Sequence, residues 1–230
     1  MYMYFPLILL QTKKINMKKS ILALPILVGA LALTAFKSSE VTEQTSSLTP
    51  PSAKQAVSKW TVDKPHTSVR FAVSHMVVAE TEGTFKVFDG TVEHTKADWS
   101  DAKINFSVDV NSINTDNDYR DKHLKGDDFF NAEKYPAMAF KSTSFKPLGK
   151  NKYELKGDLT IRDITKPVKF DVVFGGITTG AKMDKAGFKA TGTINRFDYN
   201  LKWNQMTETG SVMVGKEVEI VVRLELNREK

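Results

Sequence analysis

The sequence predicts an all-β protein: an eight-stranded antiparallel up-and-down β-barrel with one short helix covering an end. Three observations lead there. From Trp60 onward apolar and polar residues alternate in segment after segment, short turn signals separate the segments, and one stretch, residues 111–136, carries no alternation. Alternation at 180° per residue marks a strand with one dry and one wet face. About eight such strands joined by short turns fit a sandwich or a barrel. Their length of about eight to ten residues favours the barrel, whose closure leaves no exposed edge.

The elements follow in chain order. Val69, Phe71 and Val73 alternate with Arg70, Ala72 and Ser74, and a second strand spans Thr84–Glu93 with Phe85 near its start. Within that stretch Phe88-Asp89-Gly90 reads as a turn. Ile104, Phe106, Val108 and Val110 form the next apolar face. In the irregular stretch, Thr115 with Asp118 three residues later signals a helix start, and Asn117 to Lys125 forms a short helix ending at Gly126. Phe129-Phe130 follow in a long excursion of the kind that serves as a lid or binding loop. Strands then resume with Met138–Phe145, which holds Phe140, and with Tyr153, Leu155, Gly157, Leu159 and Ile161 on one face. Val168, Phe170, Val172 and Phe174 make another face, and Phe188, Ala190, Gly192 and Ile194 the next. The last sets Val218, Ile220, Val222, Leu224 and Leu226 against Glu217, Glu219, Arg223 and Glu225. Pro147-Leu148-Gly149, Gly175-Gly176 and Thr179-Gly180 supply the other turn signals.

The N-terminal part is organised differently. Met17-Lys18-Lys19-Ser20 is a positive n-region and Ile21 to Ala32 an apolar h-region, so residues 1–35 read as a signal peptide. Cleavage is expected after Ala35, with Ala32 the second choice, and Met17 reads as the true start. An uncleaved membrane anchor is the other reading, although the apolar run is shorter than the ~20 residues a spanning helix needs. Residues 36–58, rich in Ser, Thr, Lys and Gln around Pro50-Pro51, read as a flexible linker, leaving 59–230 as one barrel domain. The expected location is the periplasm. The chain has no Cys, which excludes a disulfide, a thiol nucleophile and a lipoprotein anchor.

Composition limits the function classes. Apolar residues make up 41% and charged residues 26%, enough for a real core, and 14 Phe stand against 3 Trp and 6 Tyr. Phe carries no polar handle and suits surfaces that stay dry. The net charge of +6 is concentrated in the leader: without residues 1–35 there are 29 basic and 27 acidic residues. No basic cluster mixed with aromatics appears, so nucleic acid is not an expected partner. The four His form no His-x-His or His-x-x-x-His word and no close His–carboxylate word on a regular element, so no metal site is expected and most of the His belong at the surface or core edge. Asp127-Asp128 reads as a solvated or capping pair. No Gly-x-Ser-x-Gly elbow or Gly-rich phosphate loop is present, and no catalytic residue is assigned.

Several words in order resemble the YceI-like family of exported, lipocalin-like proteins. They are Trp60-Thr61-Val62-Asp63, Pro65-His66-Thr67-Ser68-Val69-Arg70-Phe71, Ser74-His75-Met76, Gly83-Thr84-Phe85 and Ser112-Ile113-Asn114-Thr115. Arg120-Asp121-Lys122-His123-Leu124, Asp128-Phe129-Phe130, Lys134-Tyr135-Pro136, Gly157-Asp158-Leu159-Thr160-Ile161-Arg162, Thr165-Lys166-Pro167-Val168 and Ile194-Asn195-Arg196-Phe197 continue the series to about Leu226. Asp163 departs from the pattern, standing where the family commonly has Gly. The resemblance implies an eight-stranded barrel with a helix, holding a polyisoprenoid or other long amphiphile in an elongated pocket. The expected role is that of a carrier or store; with the catalytic motifs missing, no enzyme activity is expected, and no cofactor beyond the bound lipid.

The residues alone leave two interiors open, since an eight-stranded barrel can be filled by side chains or hold one small ligand. If a channel exists, its expected lining is Phe71, Val73, Phe85, Ile104, Phe106, Val108, Phe129 and Phe130, then Met138, Phe140, Leu155, Leu159, Phe170, Val172, Phe188 and Ile194. At its mouth Arg120 and His123, three apart on one helix face, either meet a polar head group or fix the helix to the rim; Asp121 reads as structural. Arg196, at a strand end, either pairs with a carboxylate of the excursion or meets the head group. The alternatives to a carrier are an enzyme for a small apolar substrate, with His123 as acid–base, and a solid barrel with a structural or stress role. Transient membrane contact and a homodimer are both compatible with the sequence.

Overall fold

The computed structural model describes residues 56–208 and 210–229, so the signal peptide and most of the linker lie outside the described residues. The described residues form eleven strands: β1 Ser58–Val62, β2 Ser68–His75, β3 Ala79–Phe85, β4 Phe88–His94, β5 Lys103–Asp109 and β6 Ile113–Asn114, then β7 Ala137–Gly149, β8 Lys152–Ile161, β9 Ile164–Thr179, β10 Met183–Asn195 and β11 Val214–Glu229. Their one α-helix, α1, spans Asp118–Lys125. The first strand opens at Ser58, one residue inside the expected linker.

These strands make eight staves. β1 with β2, β3 with β4, and β5 with β6 are three bent staves, and β7 to β11 supply one each. Every pairing is antiparallel, and β11 closes the ring by pairing with β2 (Val222 opposite Val69) and β1 (Leu226 opposite Val62). The result is the expected closed eight-stranded up-and-down barrel with one short helix.

Each bend has a local cause. Pro65, in the 3-10 turn Lys64–His66 between β1 and β2, has no N–H to give to a ladder. Asp109 accepts a hydrogen bond from Asn111 N at 2.8 Å and caps the turn Val110–Ser112 between β5 and β6. That turn reaches across: Ser112 O accepts from Lys86 N at 3.1 Å, and Asp109 N donates to Val87 O at 2.9 Å, which breaks the neighbouring stave between β3 and β4.

Three expected turns are corrected by this geometry. Pro147-Leu148-Gly149 belongs to the end of β7, and the turn itself is Lys150-Asn151, at φ 50 and 61. Thr84–Glu93 is two strands, and Phe88-Asp89-Gly90 lies inside β4 rather than at a turn. Gly90 is there for space: a Cβ would stand 2.6 Å from the Phe106 ring and 2.9 Å from Asn105 O. Gly175-Gly176 is also within a strand, β9, where Gly176 at φ 115 faces a bulge at Gly187/Phe188. The later staves reach 16 residues, longer than the alternation suggested.

The helix stands where expected, with a different cap. Asn117 accepts from Arg120 N at 2.9 Å, while Thr115 turns its N–H and hydroxyl to Asp121, at 2.9 and 2.6 Å. Alternation decides what faces inward: on β8, Tyr153, Leu155, Gly157, Leu159 and Ile161 are buried while Lys152, Lys156 and Asp158 are exposed. Arg120, His123 and Leu124 of α1 face one end of the barrel interior.

Candidate functional site

The interior is hollow. A cavity of about 370 Å³ runs through the barrel and is bordered by residues of all eight staves and by α1. Its size falls within the range of small-molecule sites. Every residue expected at a channel wall borders it: Phe71, Val73, Phe85, Ile104, Phe106 and Val108, then Phe129, Phe130, Met138, Phe140, Leu155 and Leu159, then Phe170, Val172, Phe188 and Ile194. Arg120, His123 and Arg196 border it too.

A repeated arrangement keeps the axis open. Gly83, Gly90, Gly157 and Gly192 each lie under the ring of a phenylalanine from an adjacent strand: Phe71, Phe106, Phe140 and Phe170 in turn. A Cβ at any of the four would collide with that ring. The rings therefore fold down onto the glycines and follow the wall instead of meeting at the centre. Several inward-facing side chains, among them Phe71, Ile104, Phe106 and Phe140, are consequently only partly buried.

The far end is closed by aromatics. Trp99, 2% exposed, comes from the turn between β4 and β5 and borders the cavity, with Phe188 beside it and Phe145 next to Phe188. His94 stacks on Trp99 at 3.9 Å. Trp60 Nε1 donates to His94 Nε2 at 3.0 Å; an indole N–H only donates, so His94 carries its proton on Nδ1 and gives it to Lys96 O at 2.8 Å. His94 is thus a core histidine, 8% exposed, the exception to a placement expected of most of the His.

Polar groups gather at the helix end. Arg120 Nε donates to Thr115 Oγ1 at 2.7 Å and its Nη2 to Thr115 O at 2.8 Å. The same hydroxyl donates to buried Asp121, so the guanidinium is held by a relay and has no carboxylate within ion-pair distance among the described residues. Its Nη1 makes no hydrogen bond to a described residue. The His123 ring stands edge-on to Phe129 at 5.1 Å and to Trp203 at 5.7 Å, with its Nε2 3.4 Å from Asp128 Oδ2.

Arg196 does something else. It is 3% exposed and finds no carboxylate in the excursion, contrary to one of the two expectations. Its Nε donates to Gly215 O (2.7 Å), Nη1 to Leu201 O (2.8 Å) and Trp203 O (2.7 Å), and Nη2 to Val214 O (3.0 Å). The guanidinium clamps both ends of the connection from β10 to β11, and burial pulls its pKa down from the ordinary value. Four carbonyls leave it little to offer a head group.

One cluster lies away from the cavity mouth. Asp63, His66 and Glu225 could jointly ligate a cation, but Lys185 Nζ already sits 2.6 Å from both Asp63 Oδ2 and Glu225 Oε1. That hydrogen bond is the main cause holding the Asp63 carboxyl down at about 2. The ammonium takes the place a metal would need. The Asp63–His66 pair at 3.1 Å spans a 3-10 turn, which a search of regular elements misses. Asp127 and Asp128 diverge: Asp127 Oδ1 accepts from Asn131 at 2.6 Å, while the Asp128 carboxylate faces His123.

Trp99, Phe145, Leu201, Trp203 and the inner face of β11 also border the cavity, although sequence reasoning assigned none of them to the channel wall. The β11 face was visible in the alternation of Val218 to Leu226. The two tryptophans stand in irregular segments, where periodicity gives no signal.

Comparison with known proteins agrees with this architecture. A model of the YceI-like domain matches residues 60–226. A UPF0312 protein of Staphylococcus aureus (strain bovine RF122 / ET3-1) is 38% identical over 174 residues, covering 74% of this chain and 98% of the relative. The crystal structure of Burkholderia cenocepacia BcnA superposes with a TM-score of 0.61 at 26% identity, over 71% of this chain and 98% of that one. A polyisoprenoid binding domain from Saccharophagus degradans shares the fold, with a TM-score of 0.53 at 16% identity over 74% of this chain and 98% of that one.

Proposed function

The chain belongs to the YceI-like family, and on that premise we propose that the protein is an exported carrier holding a polyisoprenoid or another long-chain amphiphile inside its barrel. The apolar chain lies along the lumen and the head group rests at α1. The observation that carries this reading is the cavity itself, apolar along its length, with the polar side chains of Arg120 and His123 at one end. A polyisoprenoid is favoured by the ligand named for the Saccharophagus degradans domain, which shares the fold.

Energetics support a chain without specific polar contacts. Each buried methylene contributes about 0.8 kcal/mol, so ten contribute on the order of 8 kcal/mol before the cost of ordering the chain. That gross figure corresponds to roughly micromolar affinity. At the mouth, Arg120 brings a cation with no ion-pair partner among the described residues, and His123 a ring clamped by Phe129 and Trp203. Such a pair suits an anionic or strongly polar head. Export rests on the charged and apolar regions before Ala35.

One preparation tests both halves of the proposal. Protein recovered gently from its native host should begin near Phe36, and its organic extract should yield an isoprenoid or other long-chain lipid by mass spectrometry. An extract clean of lipid, together with no binding of fluorescent lipids, would overturn the carrier reading. An intact Met1 on cytosolic protein would overturn export.

A further inference from the structure

The two ends of the cavity differ in kind, and the closed end is built with care. Between β4 and β5 the chain folds back over residues 95–102 and lowers Trp99 into the barrel, where it borders the cavity together with Ala102. Trp99 sits at φ 61, a left-handed conformation that bulky residues avoid unless their surroundings impose it. Here Asp101 imposes it. Its Oδ2 accepts from Thr95 N at 3.0 Å and from the Thr95 hydroxyl, and its Oδ1 from Lys96 N at 3.1 Å. Trp99 N donates to Lys96 O at 3.1 Å, and Ala102 N to Trp99 O at 2.9 Å.

The indole is packed on several sides. His94 stacks on one face at 3.9 Å, Trp60 lies at 5.3 Å, and Phe188 packs edge-on at 5.1 Å. Arg228 in turn sits over Trp60 at 4.9 Å and pairs with Asp184 at 2.6 Å. The floor of the cavity is therefore backed by a fixed stack.

We infer that Trp99 is a specificity-determining residue that sets the length of chain the barrel accepts, an inference that rests on the carrier reading. A chain entering at α1 strengthens its binding about fourfold (~0.8 kcal/mol) with each methylene buried. That gain stops when the far end of the chain meets the ring. Further carbons must stay in water at the mouth or dislodge Trp99 from His94 and Trp60.

Prenyl alcohols of increasing isoprene number, competed against a fluorescent fatty-acid probe, measure this directly. In the wild type, affinity should climb with length and then reach a plateau. Trp99→Leu should move the plateau to longer chains, so that the first alcohol beyond the wild-type limit gains about fourfold or more. Ala102→Leu adds bulk to the same floor and should move the plateau to shorter chains, and it keeps the test available if Trp99→Leu does not fold. In the wild type itself, bromine at the far end of a plateau-length chain should quench tryptophan fluorescence far more than bromine on a chain half as long. A plateau unmoved in a folded variant, or equal quenching by both brominated chains, would overturn the ruler alone. Failure of every alcohol to bind the wild type would overturn the carrier reading and the ruler with it.

Discussion

Replacing Arg196 by Met keeps the aliphatic stem and removes every donor. Four backbone carbonyls, of Leu201, Trp203, Val214 and Gly215, then lose their partner. Hydrogen bonds to a charged group are worth about 1.5–3 kcal/mol each, and an abandoned buried acceptor costs about 1–3 kcal/mol. Leu201 is buried, whereas Trp203, Val214 and Gly215 are only partly so and can recover water. The expected loss is therefore about 3–5 kcal/mol, well short of four full penalties. That is a large share of the 5–15 kcal/mol typical of a whole domain. Arg196→Lys should recover less than half, because a single ammonium cannot span the two directions the fork serves. Urea melts measure the loss as a shift in midpoint at constant slope. Limited proteolysis should show new cleavage between β10 and β11 in the Met variant. A loss under about 1 kcal/mol, with that connection still protected, would refute the clamp. If that variant instead bound an anionic lipid less well with unchanged stability, Arg196 would be a head-group contact after all.

Three other outcomes follow from the same geometry. Phe106→Ala should cost the empty protein clearly less than the ~3–5 kcal/mol of a packed core phenylalanine, because the ring is only partly buried, while lipid affinity falls; a full-sized loss with binding unchanged would place Phe106 in a solid core. Arg120→Ala and His123→Ala should weaken a phosphorylated prenyl ligand more than its neutral alcohol, and equal losses for the two would make both residues structural. Acid should destabilise the barrel through Asp63 and Asp101, both held at about 2, by Lys185 and Thr95 respectively. Since these folded values lie below the ordinary one, the stability they supply is whole above pH ~4 and is lost as pH falls toward 2. Asp63→Asn should abolish about 1–2 kcal/mol of that loss, a figure lowered because Lys185 is 41% exposed; acid melts that superpose for wild type and variant would contradict it.

How much of this was legible in the sequence depends on the range of the cause. The inner face of β8 was readable because burial there follows the period of two without exception among its apolar residues. The bend between β3 and β4 was not, since its cause is a pair of hydrogen bonds from a turn more than twenty residues away, Lys86 N to Ser112 O and Asp109 N to Val87 O. Gly90 misled for a physical reason: glycine marks a turn by its freedom and a close approach by its smallness, and here the Phe106 ring needed the second. The fork of Arg196 was half-readable. Its place at a strand end was clear, but its acceptors are backbone carbonyls, which every residue has and no sequence pattern announces. Trp99 was invisible, because what puts it in the cavity is one left-handed φ angle and a carboxylate two residues on.

The four glycine-backed phenylalanines have a volumetric consequence. By keeping their rings on the wall they leave about 370 Å³ that the protein's own side chains do not occupy, which over a mole amounts to on the order of 200 mL. Unfolding eliminates whatever part of that space water does not enter, and by that part the barrel without lipid is larger than its own unfolded chain in water. Hydrostatic pressure favours the smaller state. The unliganded protein should therefore yield to pressures that a solid barrel of equal thermal stability would survive, and a bound lipid, by filling the hollow, should restore its resistance. Compression would then read the occupancy of the barrel without any probe attached to it.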